Sequence, residues 1–195
     1  MNTHSADKEY RLQHSYRVAN IGKMIAEREG FDTTEMVLAC LLHDVAYSEA
    51  FNDFEKDWLN HGRTGAKLAR PFLETLGLEP NHVNEICYGI AIHVDLEADF
   101  EGEKTAFALT IRDADNIDRF DAYRIYEGLQ YQKFSQMPYE EKLSNVTETL
   151  AELKNLREME MATETAKVMW QEKVDYNISF YEKLKAQLEN STSII

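Results

Sequence analysis

The chain has little that breaks a helix. Three prolines and eight glycines are spread over 195 residues, so few positions force the backbone out of regular structure. There are two cysteines, Cys40 and Cys87. Both sit in apolar stretches of helical spacing, which reads as reduced core thiols rather than a disulfide. No apolar run approaches the ~20 residues that cross a bilayer. The first ten residues, Met1 to Tyr10, contain no apolar signal core. These absences predict a cytoplasmic protein with no membrane partner. Positive charge is also short: 21 Lys and Arg stand against 35 Asp and Glu, a net −14 at pH 7. Such a surface repels a phosphate polymer, so nucleic acid is not an expected partner. A small phosphorylated molecule is not excluded, because a metal centre and a few arginines reverse the field inside a pocket.

What is present is helical periodicity. No stretch alternates apolar and polar residues convincingly, and the length suits one sizeable core. The expectation is an all-α helical bundle forming a single domain over 1–195. A first helix runs from about Asp7 to Glu29, with Leu12, Tyr16, Val18, Ile21, Met24 and Ile25 at helical spacing and Gly30 as its stop. Asp32 or Thr33 caps a second helix, with Glu35 in its first turn. The segment from Tyr47 to Asn60 mixes aromatics with acids and reads as a loop that walls the site. Asn60 then caps a third helix, Pro80 opens a fourth, and Thr105 starts a fifth that continues past Phe120 towards Tyr131. Beyond Pro138, one or two long amphipathic helices follow. The last spans about Ala162 to Leu188, with Val168, Met169, Val174, Ile178, Tyr181 and Leu184 inward.

The sharpest local feature is His43-Asp44, at the end of the apolar run from Met36 to Leu42. Burying an imidazole beside a carboxylate is costly unless both find partners. Two answers stay open from these residues alone: a hydrogen-bonded pair at a helix end, or a metal ion that takes both as ligands. Four histidines and two aspartates fall in the order His14, His43-Asp44, His61, His93, Asp115, each on a different predicted helix or at its end. Separate helices can aim such side chains into one bundle core. The donors are imidazole and carboxylate with no thiolate. That suits Mn, Mg, Co, Ni, Fe or Zn and argues against a structural zinc finger. His4 and His82 fall outside the pattern and read as surface residues. Asp113 and Asp118 read as supports of the ligands or as part of a solvated face.

The ordered set resembles the HD superfamily of metal-dependent phosphohydrolases, in particular its small stand-alone bacterial members. The resemblance lies in His14-Ser-Tyr-Arg-Val-Ala, in Leu41-Leu42-His43-Asp44-Val45-Ala46, in His61-Gly-Arg-Thr-Gly-Ala, in Ile90-Ala-Ile-His93 and in Arg112-Asp-Ala-Asp115-Asn-Ile-Asp. It implies a metal-site core over about 8–120, with C-terminal helices over about 121–190 packing on it. It implies that His14, His43, Asp44 and Asp115 hold one divalent ion, and that His61 and His93 hold a second ion or contact substrate phosphate. Asp44 would bridge two ions. The implied reaction is hydrolysis of a phosphomonoester or phosphoanhydride of a nucleotide or similar metabolite by a water on the metal, with Asp44 and His61 as catalytic residues. Arg17, three residues beyond His14, is the candidate for substrate phosphate. A homodimer is an open arrangement.

One departure bears on the water. Some nucleotidases of the family carry a glutamate a few residues after the signature aspartate; here Val45, Ala46, Tyr47 and Ser48 stand there, with Glu49 further on. Activation of the water then falls to a metal, to Asp44 or to His61. Two alternatives keep the ligand set and change its use: a di-iron oxygenase, and a non-catalytic nucleotide or metal sensor.

Overall fold

The structure is a computed structural model. It describes the backbone of residues 3–49 and 54–192, and the side chains of 9–49 and 55–192. Those residues form eight α-helices and two 3₁₀ turns, with no strand among them. The chain divides into two compact units. The first comprises residues up to Asp118 together with Met161–Ala166; the second comprises Arg119–Glu160 and the chain from Lys167 on.

In the first unit, α1 spans Thr3–Glu29 and ends at Gly30, whose φ of +77° is the left-handed geometry glycine adopts freely. Only part of the expected apolar face is buried. Val18, Ile21 and Ile25 pack inside, whereas Leu12, Tyr16 and Met24 are exposed. The helix α2, Thr33–Leu42, is capped by Asp32, which accepts from the Glu35 N–H at 2.9 Å. A 3₁₀ turn over Val45–Ser48 follows.

The next helix corrects the sequence reading. α3 runs over Phe54–Glu74, so Asn60 is no cap; its amide donates to the Lys56 carbonyl one turn back. Glu55 and Asp57 in the first turn suit the helix dipole, and they supply the start signal that Asn60 was expected to give. Residues 54–60 of the expected loop are therefore helical, and 50–53 lie outside the described residues. Pro71 lies inside α3 without ending it. α4 covers Pro80–Ile92 with proline at its first position. α5 covers Ala106–Arg119, capped by Thr105, whose hydroxyl accepts from the Ala108 N–H at 3.1 Å.

The fifth helix does not reach Tyr131. The chain turns at Phe120 and resumes in the second unit as α6, Ala122–Tyr131, because Asp121 is extended and accepts from the Ala122 N–H. α7 spans Tyr139–Leu156 and α8 spans Glu164–Glu189. Thr163 accepts from the Ala166 N–H and so sets the start of α8 two residues later than expected. Met169 and Val174 are buried as expected; Val168 is exposed, and Trp170, not singled out by the spacing, is fully buried with its indole N–H on the Leu156 carbonyl.

Candidate metal centre

All six residues of the ordered set come together within the first unit, and all are buried. α1 supplies His14. The last residues of α2 supply His43 as the C-cap, and Asp44 follows directly. α3 supplies His61, the end of α4 supplies His93, and α5 supplies Asp115. Helices α3 and α4 approach closely at Gly62. A Cβ there would sit 2.6 Å from the Ala91 carbonyl oxygen and 2.9 Å from that of Ile90. That contact brings His61 Nε2 to 3.0 Å from His93 Nε2.

The hydrogen bonds fix which imidazole nitrogens face inward. His43 Nδ1 donates to the Cys40 carbonyl at 2.7 Å, His93 Nδ1 donates to the Ile90 carbonyl at 2.7 Å, and His61 Nδ1 donates to the Trp58 carbonyl. A carbonyl only accepts, so each Nδ1 carries the proton and each Nε2 presents a lone pair. His14 is held the same way by a carboxylate, donating Nδ1–H to Asp118 Oδ2 at 2.7 Å.

These lone pairs meet carboxylate oxygens. His14 Nε2 lies 3.1 Å from Asp115 Oδ1 and 3.7 Å from Asp44 Oδ2. His43 Nε2 lies 3.7 Å from Asp44 Oδ1 and 3.9 Å from Asp115 Oδ1. His61 Nε2 and His93 Nε2 lie 3.3 Å and 3.8 Å from Asp44 Oδ1. Lone pairs aimed at anionic oxygens repel unless a cation lies among them. At His14 a proton can serve. Burial opposes it, but hydrogen bonds to Asp115 and Asp118 prevail and raise the imidazole to about 9. At His43, Nε2 is fully buried and has no hydrogen-bond partner among the described residues, and the neighbouring carboxylate oxygens lie beyond hydrogen-bond reach. Two donors each about 2.1 Å from one ion stand about 3.0 Å apart at a right angle and about 3.4 Å apart at a tetrahedral angle. The observed separations fall near that range. The residues fit a divalent ion, with His14, His43 and Asp115 as one set and His43, Asp44 and His93 as another.

His43 belongs to both sets, and Asp44 lies beside it in the second. Burial works against the charge of Asp44, but the imidazoles of His43, His61 and His93 hold its carboxyl well below the usual carboxylate range. His93 is lowered too, to about 4, by burial and by His43.

The ordered set is one contiguous chain segment, and a sequence family accounts for it. The family model described as HD domain matches residues 11–120. The chain belongs to the HD domain family. Among solved structures, this HD domain is similar to the crystal structure of a predicted HD superfamily hydrolase from an uncultured Thermotogales bacterium. The two are 23% identical with a TM-score of 0.63, over 90% of this chain and 80% of that one. That likeness shows the all-α HD fold. No curated protein matches the chain.

The surroundings are only partly those expected. Arg17 donates from Nε and Nη2 to the two oxygens of Asp118, at 2.7 and 3.2 Å, and so stands behind His14. Asp118 is a support of the site and not part of a solvated face. Asp113 is also buried; it accepts from the Ala162 N–H at 2.7 Å, and burial pushes its carboxyl up to about 6. Arg11, which the sequence pattern does not single out, reaches Asp44 Oδ2 at 3.1 Å. Tyr47 and Trp58 flank His61, with ring centroids 5.1 and 6.4 Å away. His82 is exposed on Glu35, as expected for a surface residue. The side chain of His4 lies outside the described residues. Both cysteines are buried, and burial raises both thiols. No helix among the described residues is long and apolar enough to cross a membrane.

Proposed function

We propose that this HD domain is a metal-dependent phosphohydrolase that cleaves a phosphomonoester or phosphoanhydride of a nucleotide or similar small metabolite. The observation that carries the reading is His43 Nε2, a buried nitrogen with no hydrogen-bond partner among the described residues, set among the carboxylates of Asp44 and Asp115. His14, His43, Asp44 and Asp115 would hold one divalent ion. His61 and His93 would hold a second ion, with Asp44 bridging the two, or would receive the phosphate. The ion supplies Lewis acidity, polarising a phosphoryl oxygen and lowering the pKa of water in the site.

The chain's own residues supply the rest. Asp44 Oδ1, with His61 Nε2 at 3.3 Å, forms a pair that orients the attacking water and takes its proton. His61 is nearer to that oxygen than His93 is, so it is the better placed to pass the proton to the leaving oxygen. On this reading His61 on α3, with Asp44, takes the part that the residues just after Asp44 do not supply. Tyr47 and Trp58 limit water beside His61 and offer faces on which a base can stack.

Elemental analysis of the purified protein should find a divalent metal. A panel of nucleotides and sugar phosphates with Mn, Co, Ni or Mg should yield released phosphate. Asp44→Ala should lose both metal and turnover; full activity in that variant refutes the site. Two irons per chain with oxygen consumption would replace the hydrolase reading by an oxygenase. Tight nucleotide binding with no phosphate release would replace it by a sensor.

A further inference from the structure

We propose that Arg11, rather than Arg17, is the residue that receives the substrate's phosphate at the mouth of the metal centre. The inference rests on the phosphohydrolase reading above. Arg11 sits on α1 nearly one turn before His14, and its side chain is 39% exposed while that of Asp44 is 7% exposed. Nη1 donates to Asp44 Oδ2 at 3.1 Å. Arg11 therefore links a buried ligand carboxylate to solvent. Its guanidinium carbon lies 3.6 Å from the centroid of the Tyr47 ring. That contact restricts the side chain beside the site and leaves less freedom to lose on binding.

The donors decide between the arginines. Arg17 already gives Nε and Nη2 to Asp118. Arg63 gives Nη1 and Nη2 to Asp95, each at 2.9 Å. On Arg11, among the described residues, only Nη1 has a hydrogen-bond partner, so Nε and Nη2 keep donors for an anion. A phosphate oxygen held beside Asp44 arrives within reach of this fork without any large side-chain rearrangement. Guanidinium suits it: two parallel N–H donors match two phosphate oxygens. In a chain of net charge −14, a fixed cation at this one mouth also marks where an anion can enter. Tyr47 is then the positioning residue for Arg11.

Calorimetric titration of inorganic phosphate into the Mn-loaded full chain tests the assignment on wild type, Arg11→Lys and Arg11→Met. Loss of a charged hydrogen-bonding fork predicts phosphate binding about 10- to 100-fold weaker in Arg11→Met. Mn affinity should stay within about threefold of wild type. Arg11→Lys should recover part of the loss, and it keeps the test readable if Met disturbs α1. In turnover, KM should rise more than kcat falls. Unchanged phosphate affinity in Arg11→Met overturns the assignment. So does a loss of Mn affinity as large as the loss of phosphate affinity, because Arg11 would then act only by holding Asp44. A wild type that binds phosphate through Arg11 yet hydrolyses nothing in the panel removes the phosphohydrolase reading and leaves this one standing. A wild type that takes up no divalent ion removes both.

Discussion

Asp118 shows how much the orientation of His14 depends on a residue outside the ordered set. Its Oδ2 accepts from His14 Nδ1 while its Oδ1 accepts from Arg17 Nε, both at 2.7 Å. The ring of His14 is thereby turned so that Nε2 faces Asp115. Partners of this kind contribute about 10–100-fold to metal affinity. Asp118→Asn should lose that much in a competition assay against a chelating dye, and raising free metal should restore turnover. That the six residues of the ordered set meet in one buried cluster was legible in the sequence; this support was only half so. Asp118 shares a helix face with Asp115, which the spacing reveals, but its partner lies 104 residues away. The arginines show the limit more sharply. Arg11 and Arg17 stand three residues either side of His14 and are equivalent by periodicity. Only the packing of α1 against the turn after α2 and against α5 gives one to Asp44 and the other to Asp118.

At the scale of helices, α3 is the element the sequence described least well and on which the geometry depends most. Its first turn carries aromatics and acids with weak periodicity, so Asn60-His61-Gly62 resembled a helix start. In the fold Gly62 is mid-helix, and its missing side chain lets α3 touch the α4 backbone. Gly62→Ala forces backbone to move, since the obstructing atoms are carbonyl oxygens. Overpacking of this kind costs about 1–3 kcal/mol. Denaturant unfolding should show that loss, and turnover should fall further than stability explains, because His61 and His93 are driven apart. Gly128→Ala is the contrast. It lies in α6 with nothing within 4 Å of the added atom, and it should be neutral or stabilising by about 0.4–1 kcal/mol.

At the scale of the molecule, the helical class was legible because so few residues interrupt it, and the HD domain was legible because its histidines and aspartates form a distinctive ordered set. The second unit was less so. Its helices were expected, but the break at Phe120 follows from Asp121, and Trp170 is a core residue no motif marks. The first unit buries four carboxylates, those of Asp44, Asp113, Asp115 and Asp118, and a divalent ion held there would offset part of that charge. Free ion at 100 times its Kd adds about 2.7 kcal/mol to stability. In a chain of this length that is about 5–10 °C in Tm. Chelation should lower the melting temperature by this amount, and re-addition of the ion should restore it; an unmoved melting curve would show that these histidines close the core without metal. The first unit also has a late component. Ala162 reaches Asp113 and Thr165 reaches Glu29 through their backbone N–H groups. During synthesis the family's own segment is complete at residue 120, yet the unit waits for residue 166, about 46 residues later. At ~5–20 residues per second that is roughly 2–9 s. Through that interval the nascent chain holds all six residues of the candidate centre while Asp113 still lacks the amide N–H that donates to it.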